Sequence, residues 1–152
     1  IKDLIGKSEI ERDFPFRVGG VTIVPSDSVT VENFQFFRKE DDRQSLDVPA
    51  YAPGDTVYAR FDMTGYRTTA PDNQYHLTYG LTVFGPDGKA FVEQPNAAEL
   101  SAGGFYAAQF VPGNINLTTT RTSAKGGYVI ALTVRDLVSN RAYQTKRSFS
   151  LE

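Results

Sequence analysis

Residues Gly126–Asp136 read GGYVIALTVRD, and the expected architecture of the whole chain follows from them. Side chains in an extended strand alternate between two faces, so every second residue of this segment lies on the same side. One of the two sides is strongly apolar, and it carries Tyr128, Ile130, Leu132 and Val134. A strand with one apolar face needs a second apolar layer to cover it. The segment therefore predicts a β-sandwich or a β-barrel.

Length and composition limit the classes of protein to which the chain can belong. Its 152 residues suit one domain with a sizeable core. The 16 basic and 18 acidic residues leave a net charge of −2, which argues against a nucleic acid or an anionic membrane as partner. Cysteine is absent, which excludes disulfides, thiolate metal sites and cysteine nucleophiles. No apolar run approaches the roughly 20 residues that span a bilayer as a helix.

The beginning of the chain has a mixed character. It starts at Ile1 without a methionine or a signal-like apolar segment, so we expect a mature or excised fragment. Residues 1–13 are predicted to form a loosely attached N-terminal arm, and residues 14–152 a single sandwich domain. Apolar residues alternate in 14–18 around Pro15, which is typical of an edge strand that tolerates proline.

Alternation predicts further strands in the first half of the domain. The inward set of Thr56–Thr64 is Val57, Ala59, Phe61 and Met63, and that of Gln74–Phe84 is Tyr75, Leu77, Tyr79, Leu81 and Val83. In the segment Val29–Arg38, the apolar side chains fall on one face of the strand at its start and on the opposite face further along. A bulge near Glu32 and Asn33 would turn all of its large apolar residues inward.

Turn residues divide the second half. Gly85-Pro86-Asp87-Gly88 predicts a tight reversal, after which Ala90–Glu93 returns beside the preceding strand. Residues 96–104 are expected to hold one turn of helix. Phe105–Val111 and Asn114–Thr118 are predicted as two short strands separated by Pro112 and Gly113.

The last predicted strand, Ala142–Leu151, contains one anomaly. Its inward set includes Arg147 beside Tyr143, Thr145, Phe149 and Leu151. Either a bulge shifts the register there, or the arginine side chain reaches solvent at the edge. Strands at this spacing, with glycine and proline turns, predict an all-β antiparallel sandwich of about seven to nine strands.

Three pieces of the sequence resemble immunoglobulin-like modules of extracellular and bacterial cell-envelope proteins, including macroglobulin-type domains. They are Pro53-Gly54-Asp55-Thr56-Val57, Gly85-Pro86-Asp87-Gly88-Lys89 and the segment from Gly127 to Asp136. Tyr128 stands where these modules carry the tyrosine-corner residue. The resemblance implies an immunoglobulin-like fold in which Ile130 and Phe61 replace the inter-sheet disulfide by apolar contact. It also implies a spacer, an adhesion unit or an accessory domain outside the cytoplasm.

Catalytic and metal-binding patterns are scarce. His76 is the only histidine, and its strand parity points outward, so we expect a surface residue rather than a catalytic base or a ligand. The acidic residues Glu40, Asp41 and Asp42 lack the EF-hand spacing and lie between two basic residues. Asp72, Asn73 and Asp87 leave a loop-end calcium site open, although turn formation explains them equally well. No cofactor, metal site or catalytic residue is predicted.

Tyrosines are the candidate binding residues. Four of them lie in predicted turns or at outward parity, where they would form a platform for a protein or a sugar: Tyr51, Tyr58, Tyr66 and Tyr106. The alternative is that they fill half-buried edges of the sandwich. The sequence favours a non-enzymatic, extracytoplasmic spacer or protein-interaction module that binds a protein partner or a neighbouring domain, as a monomer or weak dimer. A carbohydrate-binding module that uses the exposed tyrosines is the alternative function.

Overall fold

The computed structural model describes residues 23–152, and these residues form eight strands and no helix. The strands are β1 (Thr30–Phe37), β2 (Ala50–Tyr51), β3 (Thr56–Thr64), β4 (Tyr75–Phe84), β5 (Ala90–Ala102), β6 (Val111–Thr118), β7 (Gly126–Asp136) and β8 (Arg141–Leu151). The predicted all-β class is confirmed. Within residues 23–152 there is accordingly no apolar helix long enough to cross a membrane. The predicted arm 1–13 and the predicted edge strand 14–18 lie outside the described residues.

The strands form two sheets. One has three strands in the order β1-β3-β6, and the other has five in the order β2-β8-β7-β4-β5. Neighbouring strands are antiparallel, except that the two residues of β2 pair parallel to the end of β8. Each sheet has one apolar face, and side chains of both sheets enclose a single core.

The core consists of the residues that alternation predicts. The inward side chains of β3, β4 and β7 are all at most 5% exposed, apart from Tyr75, which packs half-buried against the core. Phe61 lies at its centre, with its ring 5.2 Å from Tyr79 and 5.7 Å from Phe34. Phe61 and Ile130 both belong to this core without a covalent link.

The irregular positions of β1 and β8 also agree with the predictions. The register of β1 shifts between Glu32 and Gln35, and Asn33 has a φ of 51°, which marks the expected bulge. In β8 the register with β7 is continuous, so a bulge does not explain Arg147. Its side chain is exposed, and its guanidinium lies 5.5 Å from the centre of the Phe34 ring.

Two predictions for the second half are wrong. Residues 96–102 belong to the long strand β5, where Ala98 pairs with Tyr79 and Leu100 with Leu77, so there is no helical turn. Pairing with a neighbouring strand outweighs the helix-favouring local sequence. The other error concerns β6, which begins at Val111 and continues through Pro112 and Gly113, while most of the predicted strand Phe105–Val111 is a loop.

The register places the loops of the sandwich at two opposite ends. Tyr75 of β4 lies at the end where β3 and β7 finish, and Phe84 lies at the end where β7 begins. Strand β1 starts at the Tyr75 end, because Thr30 pairs with Thr64. The last strand finishes at the Phe84 end, because Leu151 pairs with Gly126. The ten residues of β4 separate the two ends by roughly 30 Å.

A buried carboxylate joins two loops at the Tyr75 end. Asp136, the last residue of β7, is 1% exposed. Its carboxylate accepts hydrogen bonds from the backbone N–H of Arg67 at 2.8 Å, the hydroxyl of Ser139 at 2.5 Å and the N–H of Val138 at 3.0 Å. Asp136 thus ties the β3–β4 loop to the β7–β8 turn.

Candidate functional site

The most exposed aromatic side chains in the described residues are neighbours in the β5–β6 loop. Phe105 and Tyr106 are 85% and 84% exposed, and their ring centroids lie 4.8 Å apart at 86°. We call this pair the aromatic tip. It lies at the Tyr75 end of the sandwich, since β5 finishes beside Tyr75. Two large aromatic groups held in water cost free energy, so an exposed pair of this kind points to a contact with another molecule.

The loop that carries the aromatic tip is fixed by hydrogen bonds on both sides. The side-chain amide of Asn73 donates to the carbonyls of Gly104 and Phe105, and the Gly104 N–H donates to the carbonyl of Asp72. Beyond the tip, the hydroxyl of Tyr66 donates to the carbonyl of Ala108 at 2.6 Å. The tip is therefore presented by an anchored loop, which lowers the entropy that a partner must remove on binding.

Residues 100–120 contain no charged side chain, and the aromatic tip lies within this run. Depletion of charge together with enrichment of aromatic residues is typical of the centre of protein–protein interfaces. Sequence reasoning selected Tyr106 but not Phe105, because both were placed in the predicted strand 105–111 and only tyrosines were considered as binding residues. The uncharged run is the signal that could have identified the pair.

The four predicted tyrosines do not form one platform. The expectation that Tyr51 is exposed is wrong: it is 2% exposed in β2, and its hydroxyl donates to the Phe37 carbonyl at 2.9 Å. Tyr58 is half-buried in β3, and Tyr66 is half-buried below the β5–β6 loop. Only Tyr106 of the four is fully exposed. A binding role for Tyr58, Tyr66 and Tyr106 stays a prediction.

Burial also changes the acidity of two of these tyrosines. Loss of contact with water raises the pKa of Tyr51 to about 12, although the positive charge of Arg38 opposes this shift. Burial likewise raises the pKa of Tyr66 to about 12, with a contribution from Tyr75, whose ring centroid lies 5.5 Å away. Both hydroxyls are therefore neutral hydrogen-bond donors across the physiological pH range.

His76 lies on the surface, as its parity predicts. Its side chain is 40% exposed, and Nε2 lies 2.5 Å from a carboxylate oxygen of Glu99 on the neighbouring strand β5. This is a cross-strand pair on the outer face of the five-stranded sheet. Among residues 23–152, no three His, Asp or Glu side chains come together as a metal site would require. Asp87, one of the residues considered for a loop-end calcium site, accepts a hydrogen bond from the Lys89 N–H within the hairpin turn.

A concave surface occupies the opposite end of the sandwich. The β4–β5 hairpin and the β6–β7 loop border a cleft of about 560 Å³, which we call the hairpin cleft. Its apolar wall is formed by Pro86, Phe91 and Tyr128, and the Phe91 ring, 41% exposed, meets Tyr128 edge-to-face at 5.8 Å. Asp87, Lys89 and hydroxyl residues such as Thr122 line the rest.

Tyr128 supports one wall of the hairpin cleft. Its ring stacks on Phe149 at 5.2 Å, and its hydroxyl donates to the Ala124 carbonyl at 2.7 Å. This bond to the backbone four residues upstream closes the loop that precedes β7. The cleft wall is thus built on the core rather than on a free loop.

Comparisons with known proteins extend the description of the fold only. No family model matches the chain, and no curated protein matches it. Among solved structures, the chain is similar to part of a family 123 glycoside hydrolase from Clostridium perfringens that hydrolyses glycolipid glycans. The match has a TM-score of 0.51 and 13% identity, and it covers 82% of this chain and 27% of that chain. At this identity the likeness shows a shared fold, and the chain spans well under half the length of that enzyme.

Two further structures are more distant. They are the alkylpurine DNA glycosylase AlkC of Pseudomonas fluorescens, seen bound to DNA, and the sporulation control protein Spo0M of Bacillus subtilis. Both have 12% identity over 82% of this chain, with TM-scores of 0.47 and 0.39, and they cover 30% and 49% of the matched chains. At these TM-scores, neither likeness bears on the function of the chain.

Proposed function

We propose that this chain is a non-enzymatic, extracytoplasmic β-sandwich module that acts as a spacer and binds a protein partner or a neighbouring domain through the aromatic tip. The observation that carries the proposal is the exposure of Phe105 and Tyr106 on an anchored, uncharged loop. Aromatic residues that are rigidly held and surrounded by uncharged groups are typical anchors of protein interfaces.

The path of the chain supports the spacer role. Among residues 23–152, the first strand starts at the Tyr75 end of the sandwich and the last strand finishes at the opposite end. This path puts roughly 30 Å between the start of β1 and the end of β8, as a spacer requires. The aromatic tip lies at the end of the sandwich where β1, the first of the described strands, begins.

The finer assignment to the immunoglobulin-like group belongs to the same proposal. The hydroxyl of Tyr128 bonds to the Ala124 carbonyl, which is similar to the backbone contact made by the tyrosine corner of those domains. The extracytoplasmic location rests on this analogy of fold.

Site-specific photocrosslinking tests the proposal. A photoreactive amino acid replaces Tyr106 in one variant and Gln144, an exposed residue in the middle of β8, in the matched control. We expect a defined protein adduct from position 106 and none from position 144. Excess wild-type chain should suppress this adduct, whereas excess F105A/Y106A chain should not. Equal adducts from both positions, or suppression by both competitors, would contradict the proposal.

Carbohydrate binding is the second candidate, because Tyr106 is exposed as a sugar-stacking residue must be. The geometry favours a protein, since the rings of Phe105 and Tyr106 stand at 86° and present no shared flat surface to a pyranose. A glycan array separates the candidates. Saturable binding that is lost in Y106A would support the carbohydrate alternative, and a flat array supports a protein partner.

A further inference from the structure

Strands β5 and β6 lie at the edges of their sheets, on the same side of the sandwich. Within residues 23–152, no strand pairs with the outer side of β6. A groove of about 290 Å³ lies between the two strands. An edge strand presents a row of backbone N–H and C=O groups that have no partner strand, and these groups are a template for another extended chain.

The register of β6 decides which of its backbone groups face outward. The N–H of Thr119, directly after β6, donates to the carbonyl of Asp55, so this residue and every second residue before it bond to β3. The residues between them turn their N–H and C=O groups away from β3. In agreement, the Asn114 carbonyl accepts a hydrogen bond from the Tyr79 hydroxyl of the other sheet at 2.8 Å. We call the outward-facing groups of residues 114–118 the β6 edge; they belong to Asn114, Asn116 and Thr118.

The other edge strands have features that oppose the addition of a strand. Strand β5 carries Glu93 and Glu99, and its register shifts halfway along; β1 carries Glu32 and the bulge at Asn33; β2 has two residues. Charges, bulges and short length are the means by which natural sheets protect their edges. Strand β6 has a continuous register and no charged side chain, and only Pro112 near its start lacks an N–H. Among the strands of residues 23–152, the β6 edge is therefore the unprotected one.

We propose that the β6 edge binds an extended peptide segment of a protein partner, which joins the three-stranded sheet as a fourth strand. The segment carries apolar side chains at every second position and uncharged polar side chains between them. This inference deepens the proposed function and rests on it, because it names the form of the partner segment that lies beside the aromatic tip.

The spacing of the backbone groups is the first argument for this occupant. The outward-facing N–H and C=O groups of β6 recur at every second residue, which is a repeat of about 7 Å. An extended polypeptide has the same repeat of donors and acceptors, whereas a helix satisfies its own backbone groups internally. Main-chain hydrogen bonds of this kind supply the affinity when a peptide adds to a sheet edge.

The groove beside β6 supplies the second argument. Tyr79, Leu81 and Val92 contribute to its lining, and none of the described residues that line it is charged. Successive side chains of an added strand point to opposite faces of the sheet, so every second one would face the other sheet and this groove. A charged side chain would find no partner there and would lose contact with water. The inward positions of the segment are therefore apolar.

Continuity with the aromatic tip is the third argument. The uncharged run of residues 100–120 contains both the tip and the whole of β6. The loop that carries Phe105 and Tyr106 leads directly into β6 at Val111. A partner that covers the two exposed rings therefore meets an uncharged strand edge next to them.

Peptide selection followed by binding measurements tests the inference. A display library of random linear dodecapeptides is selected against the full chain, and we expect enriched peptides with the alternation described above. Asn116→Pro removes one outward N–H of the β6 edge, and Asn116→Ala is the matched control that keeps it. Enriched peptides should bind N116P at least about tenfold more weakly than the wild type, and N116A within about twofold of it.

The proline variant should stay folded, because Pro112 already occupies an outward-facing position of the same edge strand. Circular dichroism checks this, and T118P is the second variant if N116P unfolds. Amide hydrogen exchange of the wild-type chain gives a measurement that needs no variant. The N–H groups of Asn116 and Thr118 should exchange rapidly in the free chain and at least about tenfold more slowly with saturating peptide. Those of Ile115 and Leu117, which face β3, should exchange slowly in both states.

Several outcomes would overturn the inference. They are a selection without enriched peptides, equal binding by N116P and N116A, or exchange of the Asn116 N–H that peptide does not slow. Slow exchange of this N–H without peptide would also overturn it: another part of the chain covers the edge if the protection is independent of concentration, and a second copy does if it rises with concentration. If the edge fails these tests while a photoreactive group at position 106 still captures a protein, the inference fails and the proposed function stands. If peptides bind the edge and position 106 captures nothing, only the role of the tip fails.

Discussion

Replacing Asp136 by alanine should destabilise the domain more than any other single change of an acidic side chain in residues 23–152. The substitution removes a buried carboxylate that accepts hydrogen bonds from Arg67, Val138 and Ser139. The N–H of Arg67 would be left without its partner in a part-buried setting, at a cost of about 1–3 kcal/mol. Loss of the bonds in the β7–β8 turn adds roughly 1 kcal/mol, because water replaces them only in part.

The expected loss for Asp136→Ala is thus about 3 kcal/mol of unfolding free energy, or on the order of 10 °C in Tm. Denaturant melts followed by circular dichroism measure it, with an unchanged m-value as the sign that the native and unfolded states are otherwise the same. The matched control is Asp87→Ala, which removes an exposed carboxylate and should cost less than about 0.5 kcal/mol. A loss below about 0.5 kcal/mol for Asp136→Ala would refute the assignment of this carboxylate as the link between the two loops.

Three further substitutions, with His76→Ala as a surface control, test the core, the sheet and the buried hydroxyl. Phe61→Ala should lower the unfolding free energy by roughly 3–5 kcal/mol, because it empties the centre of the core. His76→Ala, on the surface, should lower it by less than about 0.5 kcal/mol. Negligible losses for both variants in a denaturant melt would contradict the strand assignment. Gly80→Ala should lower the unfolding free energy by about 1–3 kcal/mol, because the added methyl group would overlap the Pro95 carbonyl of the neighbouring strand. A Tm equal to that of the wild type would argue against this close approach. Tyr51→Phe tests stability at alkaline pH. Burial raises the pKa of the Tyr51 hydroxyl in the folded state to about 12, whereas the unfolded chain releases this proton near pH 10. The stability that is present below pH 10 therefore falls as the pH rises towards 12. The wild type should lose about 2 kcal/mol relative to Y51F by pH ~11.5 in urea melts, and a constant difference between pH 8 and that value would count against burial of the hydroxyl.

Alternation of apolar residues was sufficient to predict strands β3, β4 and β7 and their inward faces. Alternation is informative there because each sheet buries only one face, so apolar and polar residues alternate along the strands. The bulge at Asn33 was predictable for the same reason, since the apolar residues of β1 change parity at that point.

Long-range contacts decide the segments that sequence reasoning missed. Ala98 and Leu100 are good helix formers, but they pair with β4, and no local feature reveals that partner. Gly113 sits inside β6 because the ring of Phe61 covers it and leaves no room for a side chain. Pro112 is tolerated because β6 is an edge strand of its sheet.

The candidate site was only partly predictable. Tyr106 was selected as a candidate binding tyrosine, whereas its neighbour Phe105, in the same predicted strand 105–111, was not. Tyr51 was expected in a turn between two prolines, but it belongs to β2, which pairs with the end of β8, and its ring is buried against Phe149. The hairpin cleft brings together residues about 30 positions apart, and only the pairing of β4 with β5 and β7 places them side by side.

The aromatic tip and the hairpin cleft lie at opposite ends of the sandwich. The chain has no cysteine, so cysteines introduced at Tyr106 and Lys89 carry spin labels at two defined positions. A pulsed electron–electron double resonance measurement on dilute protein gives the distance between these two labels. We expect a single distance distribution at about 30–40 Å, set by the length of β4. A distribution centred below about 20 Å would place tip and cleft on the same end and contradict it.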